Sequence, residues 1–208
     1  MRHLLGRQAV TVTRQSRARD LALIVTFAGL VAALGVVPAF QPPGFSVPVT
    51  TQSLGVMLVG SVIGSRRAFA SLLLFLALVA LGLPLLAGGR GGLGVFAGPS
   101  VGFLVAYPVG AYVTGWIIER GGPTYKLHWG VVANAVGGIV VLYAAGIAGI
   151  AAMAHLSITA ATLSTWIFVP GDLVKVVVAA VVARGVHAAY PGLLGRPPSR
   201  RDKHPSTV

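Results

Sequence analysis

Six stretches of the chain are apolar over roughly the length needed to cross a bilayer, at about 21–39, 49–65, 67–87, 97–118, 129–154 and 158–183. Runs of that length leave no polar face for water, so they predict an all-α polytopic membrane protein rather than a soluble domain. Composition agrees where it matters. Only 10% of the 208 residues are charged, against about 25% in soluble domains. The 28 glycines and 13 prolines suit helices that pack through small residues. The second run is the weakest, because Thr50, Thr51, Gln52 and Ser53 begin it and Gly55 and Gly60 interrupt it.

Charge placement decides whether that run counts. With six crossings and an inner N-terminus, Arg2, Arg7, Arg14, Arg17 and Arg19 fall inside, as do Arg66, Arg67, Arg120 and Lys126. Arg184, Arg196, Arg200, Arg201 and Lys203 join them, so fourteen of the sixteen basic residues lie on one side, as the positive-inside rule requires. Dropping the second run would invert every later loop. The expectation is therefore six transmembrane helices with both termini cytoplasmic. It divides into a basic segment over 1–20, a transmembrane domain over 21–190 and a basic disordered tail over 191–208. The formal charge of +12 is then a topology signal, and no nucleic-acid partner is expected. The first run is expected to be a retained helix, since no small-residue cleavage site follows it.

The absence of cysteine excludes disulfides and thiol chemistry. No HExxH, GxSxG or paired carboxylates occur, so no catalytic residue, metal site or cofactor is expected, and the chain is not read as an enzyme. Asp20 is expected to cap the first helix. Glu119 and Arg120 are ordinary at an inner helix end. Three charges then lack a bland explanation: Arg90, Asp172 and Lys175.

From Asp172 to Arg184 is twelve residues, about 18 Å of helix, which sets Asp172 in the outer half of a core about 30 Å thick. His155 to Arg184 is too long for one crossing, at roughly 44 Å. A break is expected at Pro170-Gly171, with a shorter outer helix over about 158–168 and the crossing helix from 171. Asp172 could simply cap that helix. Lys175 argues for more, because a cation in the first turn opposes the helix dipole and needs an anion, Asp172 or a ligand. Ions at such depth usually mark function.

Arg90 sits in Gly88-Gly89-Arg90-Gly91-Gly92, either a solvated outer loop or a lid whose backbone approaches a ligand. Gln52 either starts a helix or hydrogen-bonds a ligand. Asn134 is expected to bond between helices. The unexplained polar groups Gln52, Arg90, Asp172 and Lys175 collect in the outer half, with Phe96, Phe103, Tyr107 and Trp166 available as aromatic walls. That mixture suits one small amphiphilic solute.

Several pieces together resemble the BioY family, the biotin-binding S components of energy-coupling factor (ECF) transporters: Val47-Pro48-Val49 with Gln52, Gly82-Leu83-Pro84, Gly88-Gly89-Arg90-Gly91-Gly92 before Phe96 and Gly98-Pro99, and Pro170-Gly171-Asp172 with Lys175. The resemblance spans about residues 21–187. It implies six helices in the bacterial cytoplasmic membrane, outer loops closing over biotin, and docking onto a transmembrane T component driven by two cytoplasmic ATPase subunits. It implies ligand contacts from Gln52, Arg90, Phe96, Ser100, Tyr107, Asp172 and Lys175. It also implies that Ala28 and Ala32 pack against the T component, with Gly29 and Ala33 repeating the spacing on an adjacent face. Where the family commonly has Gly-Pro-Thr-Gly-Gly-Tyr, this chain has Gly98-Pro99-Ser100-Val101-Gly102-Phe103. Ser100 keeps a hydroxyl, whereas Phe103 has none to offer. The competing expectation is a stand-alone or ion-coupled carrier for biotin or another small vitamin, with Asp172 as the protonation site.

Overall fold

A computed structural model of the chain describes residues 2–122 and 124–194, with side chains described from Arg17 onward. The expected tail beyond 194, with Arg196, Arg200, Arg201 and Lys203, lies outside the described residues, as do the side chains of Arg2, Arg7 and Arg14.

The chain is helical throughout its long segments. They are α1 (Arg2–Gly35), α2 (Gln52–Ile63), α3 (Ser65–Ala80), α4 (Val101–Arg120), α5 (Leu127–Ala135), α6 (Leu142–Met153), α7 (Ile158–Thr165) and α8 (Val169–Ala189). A π-helical turn, Val136–Val141, joins α5 to α6, and a 3-10 turn, Trp166–Phe168, joins α7 to α8. Eight helices thus make six rods. Local chemistry sets the ends. Pro38 follows α1 closely and cannot continue it. Gly64, at φ 81°, is the single residue between α2 and α3, a conformation that favours glycine. The Ser157 hydroxyl caps α7 by accepting from the Ala160 N–H at 3.2 Å.

Three expectations are corrected here. Asp20 caps nothing, because α1 already runs from Arg2; its carboxylate instead meets Arg67 Nη2 at 2.8 Å. The break before α8 is the turn 166–168, and Pro170 and Gly171 lie inside the first turn of α8, which begins at Val169. Proline is well tolerated there because the N–H it lacks has no partner in a first turn anyway. Nor is Asp172 an N-cap: Phe168 holds that position and makes no side-chain cap.

Contacts at the two ends of the bundle show that the six rods alternate in direction. At one end Leu34, Gln52, Leu86, Ser100, Tyr143 and Asp172 lie together, through bonds such as Thr51 Oγ1 to the Leu34 carbonyl at 2.6 Å and a shared cavity. At the other end, Arg67 reaches both Asp20 and the Leu193 carbonyl. Glu119 there accepts from the Ser65 N–H and hydroxyl, each at 2.7 Å, and so caps α3 from α4. The described basic residues 17, 19, 66, 67, 120, 126 and 184 all sit toward this second end.

The rods 17–35, 101–120, 127–153 and 158–189 are long and apolar enough to cross a membrane. The α2 and α3 helices are 12 and 16 residues, about 18 and 24 Å, shorter than the runs that suggested them. The outside is apolar: Val105, Val109, Val174, Val177 and Val181 are each about half exposed, as on a surface that faces lipid. Trp116 and Trp129 near the basic end and Trp166 at the other are also exposed, where amphipathic rings suit the interfaces. The protein is a multi-pass membrane protein.

Inside, Phe75, Met57, Ile63 and Leu72 are fully buried, and backbones come close through glycine. A Cβ on Gly60 would lie 2.5 Å from the Ala111 carbonyl, and one on Gly110 would lie 2.6 Å from that of Gly137. Asn134 bonds between helices as expected, accepting from the Ser61 hydroxyl at 2.8 Å and donating to the Val176 carbonyl at 3.4 Å.

Candidate functional site

The end of the bundle away from the basic residues holds a cavity of about 590 Å³, open mouth included. Its floor comes from α2 and the first turn of α8. Asp172, 5% exposed, receives three donors: Lys175 Nζ at 2.8 Å and Ser53 Oγ at 3.1 Å on one oxygen, and the Tyr143 hydroxyl at 2.8 Å on the other. Lys175 also donates to the Thr50 carbonyl at 2.7 Å and to Ser53 Oγ at 3.0 Å. All three ammonium donors are therefore used. A carboxylate has about four acceptor sites, so Asp172 keeps one, on the oxygen facing Tyr143. The first turn of α8 adds the favourable end of its dipole.

One wall is aromatic. Phe103, Tyr143 and Phe168 meet edge to face, with centroids 6.0 to 6.5 Å apart. Tyr107, buried on α4, and Ser100, at its start, line the same cavity. The roof is the loop after α3. There Leu86 and Arg90 exchange backbone hydrogen bonds at 3.0 and 3.2 Å, helped by left-handed Gly88 and Gly89 between them. Arg90 Nε donates to the Ala87 carbonyl at 3.2 Å. Its terminal nitrogens have no protein partner among the described residues, and the side chain stands exposed at the mouth.

Of the site residues expected from sequence, Gln52, Arg90, Ser100, Tyr107, Asp172 and Lys175 all line this cavity. Phe96 does not: it sits on the 3-10 turn Leu93–Ala97 and packs against the core beside the cavity. Trp166 points outward, 63% exposed. Gln52 lines the wall, but its amide is already bonded to backbone. Of the expected docking pair, Ala28 is the more deeply placed. It is 3% exposed, within the chain's own core, and Ala32 packs partly against that core. Gly29 and Ala33, on the adjacent face, are exposed.

Sequence reasoning missed Tyr143, Ser53 and Phe168. Ser53 was legible as one of the polar residues opening α2. Tyr143 follows the π turn, whose extra residue re-aims the helix beyond it. Gly137 and Gly138 make that turn fit, because a Cβ on either would strike Thr114 or Met57.

Comparison with known proteins gives a consistent picture. The family model described as "BioY family" matches residues 7–192. A "Biotin transporter BioY" of Rhodobacter capsulatus is 48% identical over 185 residues, 85% of this chain and 97% of that protein. Another, from Rhizobium etli, is 46% identical over 184 residues, 86% of this chain and 98% of the relative. A "Probable biotin transporter BioY" of Bacillus subtilis is 43% identical over 168 residues, 79% of this chain and 88% of that protein. Among solved structures, the S-component for biotin from an ECF-type ABC transporter superposes with a TM-score of 0.80. That likeness covers 84% of this chain and 93% of that one at 23% identity, and it is a likeness of fold.

Proposed function

Because the chain belongs to the BioY family, we propose that it captures biotin at the outer face of the cytoplasmic membrane and acts in uptake as the S component of an ATP-driven ECF transporter, not as an enzyme. The observation that carries this reading is the cluster of Lys175, Ser53 and Tyr143 around buried Asp172 on the floor of a cavity that opens away from the basic end. By the positive-inside rule the basic end is cytoplasmic. The six rods then each cross, with both chain ends inside and the cavity facing out.

Biotin has the matching chemistry: two ureido N–H donors, an apolar thioether ring and a carboxylate on a flexible tail. The remaining acceptor site of Asp172 takes a ureido N–H, and Lys175, already saturated, holds Asp172 in place. The ring lies against Phe103, Tyr143 and Phe168, with Ser100 and Tyr107 beside it. Arg90 meets the carboxylate at the mouth. The T component, driven by its two cytoplasmic ATPases, meets the exposed face of α1 at Gly29 and Ala33.

Equilibrium binding of labelled biotin to the purified chain tests the capture step; no binding up to micromolar concentration rules it out. Uptake in cells carrying the T component and ATPases tests the coupling. Uptake that persists with an inactive ATPase and follows pH favours the ion-coupled carrier instead.

Arg90→Ala is expected to weaken biotin binding about two- to fivefold, the modest worth of an exposed charge pair. Binding of the uncharged biotin amide should stay nearly unchanged. Equal loss for both ligands would remove Arg90 from the carboxylate.

A further inference from the structure

Gln52 is 2% exposed, and its amide is committed within the protein. Its Nε2 donates to the Leu85 carbonyl at 3.0 Å and, at the longer distance of 3.4 Å, to the Val31 carbonyl. Its Oε1 accepts from the Ala87 N–H at 3.2 Å. Both N–H donors of the amide are thus used, and only a second lone pair on Oε1 is left over. The three partners belong to two different parts of the molecule: Val31 is in the last turns of α1, while Leu85 and Ala87 flank Leu86 in the roof loop.

The end of α1 also meets the loop directly, at Gly35. A Cβ on Gly35, at the end of α1, would strike the Leu85 carbonyl and come within 2.9 Å of Gln52 Nε2. Next to it, the Thr51 hydroxyl donates to the Leu34 carbonyl at 2.6 Å. The roof loop in turn is tied within itself, because Leu86 and Arg90 are bonded to each other, and Gly82 and Gly92, at φ 102° and 81°, stand at its two ends. We propose that Gln52 is a positioning residue that keys the end of α1 to the Leu86–Arg90 loop, so that a displacement of α1 is delivered to the mouth of the cavity. The inference deepens the solute reading given above and rests on it.

Two variants disturb the joint in different ways. Gln52→Met keeps the volume and deletes all three hydrogen bonds. Gly35→Ala keeps the Gln52 side chain but crowds both its amide and Leu85, although Gly35 does not line the cavity. Hydrogen–deuterium exchange of the ligand-free protein reads the loop without any need for biotin. Exchange over residues 83–92 is expected to rise about tenfold in both variants, the scale of losing one or two buried hydrogen bonds, while α4 and α8 keep their protection. Labelled biotin should leave both variants faster than the parent chain. Unchanged exchange in the loop of Gln52→Met overturns the proposal, and so does a rise spread over the whole bundle. Faster release from Gln52→Met but not from Gly35→Ala also overturns it, in favour of a direct ligand contact. If the parent chain fails to bind biotin, the solute reading falls, while the exchange result still decides whether α1 and the loop are joined.

Discussion

Asp172→Asn is expected to weaken biotin binding at least a hundredfold and to lower thermal stability at the same time. The asparagine can still accept from Lys175 and Ser53 through its oxygen. On the Tyr143 side it presents N–H groups where the carboxylate offered its last acceptor site, so a ureido donor meets a donor. A hydrogen bond to a charged group is worth about 1.5–3 kcal/mol, and the opposed donors add to that loss. Stability falls for another reason. Lys175, with a side chain only 15% exposed, loses its counter-charge, and breaking a buried pair costs about 3–5 kcal/mol. The double variant Asp172→Asn/Lys175→Met separates the two effects. It leaves no buried cation, so the melting temperature should recover much of the loss while biotin binding stays absent. Unchanged biotin affinity in Asp172→Asn would sink the assignment of the floor.

A second large effect is expected far from the cavity. Gly115→Val should prevent recovery of a monodisperse protein. A Cβ there would strike the Ser65 N–H and lie 2.6 Å from the Gly64 carbonyl carbon, and both neighbours are backbone. Overpacking a core costs typically about 1–3 kcal/mol where side chains can shift; here two main chains would have to separate. The same shift would pull Ser65 away from Glu119 and uncap α3. Gly185→Ala is the matched control, because its Cβ meets nothing within 4 Å and alanine favours the helix by about 1 kcal/mol. Size-exclusion profiles of the detergent-solubilised variants decide it. Equal behaviour of the two would show that the α3–α4 approach is not essential.

The six rods and the gathering of Gln52, Arg90, Ser100, Tyr107, Asp172 and Lys175 were legible in sequence for one reason. Polar groups inside apolar runs are few, and each must find a partner. What was illegible depends on rotation about helix axes. Tyr143 is a lone phenol in an apolar rod, equally suited to an interface, and a π turn that no 3.6-residue period encodes sets its direction. Ala28 and Gly29 belong to the same small-residue pattern, yet one faces the chain's own core and the other faces out. Gln52 was rightly singled out as a polar residue at the cavity. Its partners are backbone atoms 21 to 35 residues away, and backbone carries no side-chain signature to read.

The paired floor also has an electrical consequence. Asp172 and Lys175 cancel, so with Arg90 the empty cavity carries one formal positive charge, and a bound monoanion such as biotin brings the sum to zero. An uncompensated charge moving through 100 mV exchanges about 2.3 kcal/mol with the membrane potential. On the proposed biotin reading, a loaded site of zero formal charge would exchange little energy with that potential, whereas an empty one, being positive, would be drawn toward a negative interior.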